Sequence, residues 1–130
     1  MKAHTVGTIT VLPVSDIEES TKWYEQTLGF RTTFLNEGDE EGELTNYAIL
    51  KREDVAFHLI LDESPDHIPS WTKAGSGYLY LLVSDIEKEY DDVKSRGATM
   101  TRELQTENWG AKGFNMRDPS GNEIHIEQVG

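Results

Sequence analysis

The sequence predicts an α+β fold of two tandem β-α-β-β-β modules, their sheets curved around a shared cleft. Three observations carry this reading. Val14-Ser15-Asp16-Ile17-Glu18 recurs unchanged as Val83-Ser84-Asp85-Ile86-Glu87. A glycine, Gly29 or Gly97, closes the helical stretch after each copy. A histidine between two apolar residues marks a closing strand in each half, as Phe57-His58-Leu59 and Ile124-His125-Ile126. In each module the helix covers one sheet face, because an amphipathic sheet must bury its apolar side. The other two faces are left to form the cleft.

The β-branched run Val6 to Val14 reads as a strand, with Pro13 marking an edge or an end. Ser15 to Glu18 matches a capping box, serine at the N-cap and glutamate three residues on. The helix that follows puts Ile17, Tyr24 and Leu28 on one face, with Trp23 beside them as sheet-packing aromatics, and stops at Gly29. Strands are expected at Phe30 to Asn36, Leu44 to Leu50 and Val55 to Leu61, the first two joined by an acidic hairpin loop over Glu37 to Glu43. Residues 63–77 contain prolines, glycines and polar groups and form a linker. Strand, capping box and helix then restart at Tyr78, and strands follow at Thr99 to Leu104, Lys112 to Arg117 and Glu123 to Val129. Asp118-Pro119-Ser120-Gly121-Asn122 is the turn between the last two. Alternation places Phe114, Met116, Ile124 and Ile126 toward a core, and Asn115, Arg117, Glu123, His125 and Glu127 on the opposite face. The whole, residues 1–130, is read as a single domain: module one about 5–62, the linker 63–77, and module two about 78–129.

At 130 residues, one core is expected. No apolar run approaches the roughly 20 residues of a membrane span. The opening Met1-Lys2-Ala3-His4-Thr5 lacks an apolar signal core, and the sequence contains no cysteine, so a cytoplasmic location is expected. Without cysteine there is no thiolate nucleophile or sulfur metal ligand. Twelve basic residues against 24 acidic ones give a net charge of −12, which argues against a nucleic-acid partner and favours a cationic ligand over an anionic one. There is no Gly-x-Ser-x-Gly elbow, P-loop or His-Glu-x-x-His.

On Leu12-Pro13-Val14-Ser15-Asp16 leading to Trp23-Tyr24 and Leu28-Gly29-Phe30, and on Asp118-Pro119-Ser120-Gly121-Asn122 before the closing strand, the sequence resembles the vicinal oxygen chelate superfamily. That superfamily includes glyoxalase I, extradiol dioxygenases, fosfomycin-resistance enzymes and bleomycin-resistance binding proteins. Leu12-Pro13, Ser70-Trp71, and Glu103-Leu104-Gln105 through Trp109-Gly110 look most like the bleomycin-resistance branch. The resemblance implies the glyoxalase/bleomycin resistance fold and a homodimer with clefts at the subunit interface. It also implies four ligand positions in metal-using members, which here fall on Ile9, His58, Tyr78 and His125. Isoleucine cannot ligate, and a tyrosine phenol with a pKa near 10 is a poor ligand for an ordinary divalent ion. Two imidazoles fall short of the three or four ligands of a catalytic centre.

The expected function is therefore metal-independent binding or sequestration of a small organic molecule, cationic or aromatic, such as an antibiotic, with no cofactor. His58, Tyr78, Tyr80, Trp109, His125 and Ile9 are the expected ligand-binding residues. The alternative is a metal-dependent lyase or dioxygenase-like enzyme in which His58 and His125 hold a divalent ion, so enzymatic activity stays open. Trp109 is either a stacking platform or a lid over the core, and Trp71 could do either or sit in a subunit interface. Arg117 is expected to pair with Asp118 or another nearby acid rather than bind a ligand carboxylate.

Overall fold

The computed structural model describes residues 2–38, 44–62 and 73–130. Residues 39–43 of the acidic loop, and residues 63–72 of the linker with Ser70 and Trp71, lie outside the described residues. The elements run β1 (Val11–Val14), α1 (Ile17–Leu28), β2 (Arg31–Asn36), β3 (Tyr47–Arg52), β4 (Val55–Leu61), β5 (Tyr78–Val83), α2 (Ile86–Ser95), β6 (Thr99–Thr106), β7 (Lys112–Arg117) and β8 (Glu123–Gln128). They build two four-stranded sheets, β1-β4-β3-β2 and β5-β8-β7-β6. β1 pairs parallel to β4, β5 parallel to β8, and the remaining pairs are antiparallel. The repeat in the sequence is thus a repeat of topology, and the two-module α+β fold is as expected.

Two local expectations are corrected. Each helix is capped by the aspartate of the repeat rather than the serine before it: Asp16 accepts from the Glu19 amide at 2.9 Å and Asp85 from the Lys88 amide at 3.1 Å. Both aspartates hold extended backbone, and a carboxylate also meets the positive end of the helix. The first strand is shorter than its β-branched run. β1 begins at Val11, where β4 comes alongside as Val11↔His58, and Val6 upstream is almost fully exposed. Pro13 lies in this edge strand, where its missing N–H costs no ladder bond. Gly29 ends α1 with φ 73°, the left-handed conformation glycine adopts without a Cβ penalty.

Both helices are amphipathic and bury their apolar faces. From the first module, Leu12, Val14, Ile17, Tyr24, Leu28, Leu50, Phe57 and Leu59 enter one cluster with Leu79, Ile86, Val93, Phe114, Met116, Ile124 and Ile126 of the second. Tyr24, Phe30 and Phe57 pack edge to face within it, with centroids 4.9–6.5 Å apart. The modules therefore share a core through their helix-covered sides. Among the described residues, no helix is long and apolar enough to cross a membrane.

The Asp-Pro-Ser-Gly-Asn turn joins the two modules. The Tyr24 hydroxyl of α1 donates to Asp118 Oδ2 at 2.8 Å. Fully buried Asn122 donates through Nδ2 to the Pro13 carbonyl at 2.8 Å and to Asp118 Oδ2 at 2.9 Å, and its Oδ1 accepts from the Gly77 amide at 2.7 Å. The Ser15 amide donates to Ser120 Oγ at 3.0 Å. Burial, then the charge and hydrogen bond of Asp118, push the Tyr24 phenol well above its ordinary range, so it remains a donor. A second junction is the bidentate pair of Arg52 with Glu89 at 2.8 and 2.9 Å, where Arg52 also donates to the Leu28 carbonyl. Arg96 adds a bond to the Thr27 carbonyl at 3.1 Å.

Candidate functional site

Strand alternation decides what the shared core leaves outside. Phe57 and Leu59 point inward, so His58 is on the outer face of the first sheet; Ile124 and Ile126 point inward, so His125 is on the outer face of the second. The same parity exposes Val11 and Phe34 on the first module, and Tyr78, Tyr80 and Leu82 on the second.

On the second module four of the expected residues come together. Register places Tyr80 beside His125 on the neighbouring strand. The Tyr80 ring sits 4.6 Å from the imidazole, Tyr78 lies 6.5 Å from Tyr80, and the Trp109 indole from the β6–β7 loop lies 6.4 Å from His125. Tyr78, Tyr80 and Trp109 are about half exposed, whereas His125 is only 2% exposed. Trp109 is thus an exposed aromatic surface rather than a cover for the core.

Beneath the rings runs a polar chain. The Thr101 hydroxyl and Asn115 Nδ2 donate to Glu123 Oε2 at 2.6 and 2.9 Å, and Arg117 Nε donates to Glu123 Oε1 at 3.1 Å. Arg117 therefore pairs with a nearby acid, as expected, and that acid is Glu123. Asn115 Oδ1 meets His125 Nδ1 at 2.7 Å, and His125 Nε2 meets Glu127 Oε1 at 3.0 Å. The Trp109 indole N–H donates to the same Glu127 oxygen at 3.0 Å. The His125 hydrogen bond, with help from Tyr80, Trp109 and the His125 charge, outweighs burial and holds the Glu127 carboxyl below its ordinary range. Burial pushes Glu123 up, but the bonds from Thr101, Asn115 and Arg117 prevail and hold it low. Hydrogen bonding to Glu127, then burial, raises the Tyr80 phenol. Burial, then the charge of Glu123, raises Tyr78.

Backbone shape makes room for the ring. A Cβ on Gly113 would lie 2.9 Å from the Ile126 carbonyl oxygen and 3.0 Å from His125 Cε1. Gly113 pairs with Glu127 across the β7–β8 ladder, so the residue facing the network has no side chain to crowd it.

His58 has a different setting. Its Nδ1 lies 2.6 Å from the Tyr47 hydroxyl, with the rings edge to face at 5.3 Å. Burial lowers the His58 imidazole and raises the Tyr47 phenol, which suits a neutral ring accepting the phenol proton. Ile9 precedes β1 and is exposed. His58 thus belongs to the other sheet and Ile9 to the segment ahead of it, neither of them part of the second-module cluster. The two histidines have separate partners, and one nitrogen of His58 and both of His125 are already engaged. Among the described residues, no group of three or more His, Asp or Glu side chains has an arrangement that could hold a metal ion. A groove of about 320 Å³, lined by Arg52, Val55, Leu82, Asp85 and Lys88, lies at the junction of the modules and includes neither histidine.

Tyr47, Asn115, Glu127 and Gly113 were not among the expected site residues. Three of them were within reach of counting. Pairing outward from the turn sets Arg117 opposite Glu123, Asn115 opposite His125 and Gly113 opposite Glu127. Tyr47 sits diagonally across from His58, and its strand begins three residues later than the apolar pattern suggests.

Two tandem β-α-β-β-β modules with a histidine on each closing strand define a paired-module scaffold. The chain belongs to the Glyoxalase/Bleomycin resistance protein/Dioxygenase superfamily, whose profile matches residues 3–126. Its fold is similar to that of the bleomycin-binding protein from bleomycin-producing Streptomyces verticillus, solved with copper(II)-bleomycin, at 22% identity and a TM-score of 0.75, covering 99% of this chain and 100% of that one. TioX from Micromonospora sp. ML1 is similar at 16% identity and TM-score 0.75, covering 96% and 97%. A superfamily member from Sphaerobacter thermophilus DSM 20745 is similar at 24% identity and TM-score 0.68, covering 95% and 98%. No curated protein sequence matches the chain significantly.

Proposed function

We propose that the protein binds a small organic molecule, cationic or aromatic, without a metal, in clefts closed by a second copy of itself. The observation that carries this is the exposed aromatic wall of Tyr78, Tyr80 and Trp109, backed by the buried Glu127 carboxylate. A contiguous apolar surface with convergent polar groups is the usual character of a ligand site. The outward faces support the second copy. One chain presents a His58 face and a His125 face on different sheets, and a twofold pair brings unlike faces together twice, closing two equivalent clefts. The bleomycin-binding protein of similar fold supports antibiotic sequestration as the role, and the acidic surface favours a cation. The absence of cysteine fits a cytoplasmic setting.

The test is a thermal-shift screen with glycopeptide and cationic aromatic drugs, beside sedimentation of the free protein. A ligand at about 100 times its dissociation constant stabilises by roughly 2.7 kcal/mol. No shift with any such compound, or a protein that stays monomeric at high concentration, would refute the proposal. Stoichiometric metal in the purified protein, lost in a His58→Ala, His125→Ala double variant, would instead favour the metal-dependent reading.

A further inference from the structure

Trp109 is the most exposed ring of the aromatic wall, yet it is held at both ends. Its indole N–H donates to Glu127 Oε1 at 3.0 Å. The loop that carries it is a tight turn. The Glu107 amide donates to the Ala111 carbonyl at 2.7 Å, and the Gly110 amide donates to the Glu107 carbonyl at 2.9 Å. Asn108, Trp109 and Gly110 are exposed, but the Glu107 side chain is only 3% exposed. Both its oxygens are taken by Arg102: Nη1 donates to Oε1 at 3.1 Å and Nη2 to Oε2 at 3.0 Å.

Arg102 pairs with Asn115 across the β6–β7 ladder, which sets it on the outer face that His125 shares. The register breaks on both sides of it, between Met100 and Arg102 and again between Arg102 and Gln105. Bulges bend a strand and re-aim a side chain, and here the side chain between them reaches the loop. A buried ion pair contributes little net stability over apolar side chains of similar volume. What a guanidinium–carboxylate fork supplies instead is a fixed geometry.

We infer that Arg102 and Glu107 are positioning residues, a brace that fixes the β6–β7 loop so that Trp109 stands in the aromatic wall before any ligand arrives. This deepens the ligand-binding reading above and rests on it. Arg102 holds Glu107, Glu107 opens the turn, and the turn presents the indole to Glu127. A ring ordered in advance loses no freedom on binding, whereas a ring on a loose loop must be ordered by the ligand. The brace therefore acts on affinity through Trp109 alone.

The full-length protein tests this with hydrogen exchange at the Trp109 indole, assigned against Trp109→Phe, and with calorimetry using benzyltrimethylammonium as the probe. The Arg102→Met, Glu107→Gln double variant removes the fork without leaving a buried unpaired charge. Loss of two charge-assisted bonds is expected to speed indole exchange about tenfold or more. Having to order one free side chain is expected to weaken probe binding about fivefold. In a Trp109→Ala background the same two substitutions should leave probe affinity unchanged, because the residue they act through is gone. Arg102→Lys keeps the charge that Glu107 needs but cannot fork, so it should fold and show both effects in smaller measure. Unchanged indole exchange, unchanged probe affinity, or an equal loss in the Trp109→Ala background would each overturn the inference. If the wild type binds neither this probe nor any other cationic aromatic compound, the ligand-binding reading fails. Indole exchange then decides the brace by itself, faster exchange supporting it and unchanged exchange overturning it.

Discussion

Replacing Asn122 with alanine tests whether the last turn holds the modules together. Asn122 is fully buried and makes three side-chain hydrogen bonds, to the Gly77 amide, the Pro13 carbonyl and the Asp118 carboxylate. A made hydrogen bond contributes about 1 kcal/mol net, and a buried donor left without a partner costs about 1–3 kcal/mol. The Pro13 carbonyl keeps a longer bond from the Gly75 amide at 3.4 Å, so the Gly77 N–H is the group stranded. The expected loss is about 3 kcal/mol, or roughly 10 °C in melting temperature for a chain of this size. Urea unfolding followed by circular dichroism should show a lower midpoint with an unchanged slope. Asn122→Asp should cost more, because it sets a second carboxylate where Nδ2 now lies 2.9 Å from Asp118. A loss below about 1 kcal/mol in Asn122→Ala would refute the reasoning, since a buried group with three bonds cannot be removed so cheaply.

Gly113→Ala should destabilise by about 1–3 kcal/mol, because the new Cβ meets a backbone oxygen at 2.9 Å that cannot yield as a side chain would; an unchanged melting temperature would contradict this. Glu89→Ala removes both bonds to Arg52 and leaves that guanidinium only the Leu28 carbonyl and an exposed Glu53, so thermal unfolding should report a loss of about 2 kcal/mol. Glu123 and Glu127 both titrate below their unfolded values. The stability they add is therefore complete above the ordinary carboxylate range and is lost as pH falls through and below it. Stability measured from pH 6 to pH 3 should fall less steeply in a Glu123→Gln, Glu127→Gln double variant than in the wild type. His58 is also lowered, so the stability its neutral form adds is present above the ordinary histidine range and is lost at lower pH. His58→Gln should flatten stability between pH 7 and pH 5, and an unaltered profile would argue against a neutral Tyr47–His58 pair.

The modular fold was legible because repeated local chemistry encodes it. Identical Val-Ser-Asp-Ile-Glu segments, glycine stops and alternating strands specify the topology without any long-range information. The caps were misplaced by one residue because serine and aspartate are adjacent and both accept; only the backbone conformation decides between them. The candidate site was half legible. Period-two alternation put Tyr78, Tyr80 and His125 on one face, and all three lie there. What alternation cannot supply is which faces meet. The shared core forms on the helix sides, and that depends on Tyr24, Arg52 and Asn122 reaching across a large sequence separation. Nor does parity reveal that His125 is enclosed while its neighbours are open, because its partners are Asn115 on the neighbouring strand and Trp109 in a loop as well as Glu127 on its own strand.

The bond from Asn122 to the Pro13 carbonyl spans 109 residues. Such a contact closes nearly the whole chain into a loop, and its entropic cost must be met before the contact gives anything back. The first strand can pair with β4 early, but its far side has no lock until the last hairpin exists. During synthesis, the first module waits with part of its apolar face uncovered while the second emerges. Refolding should accordingly be limited by docking of the two halves rather than by either sheet, and truncations ahead of Asp118 should yield aggregation-prone chains rather than a smaller stable protein.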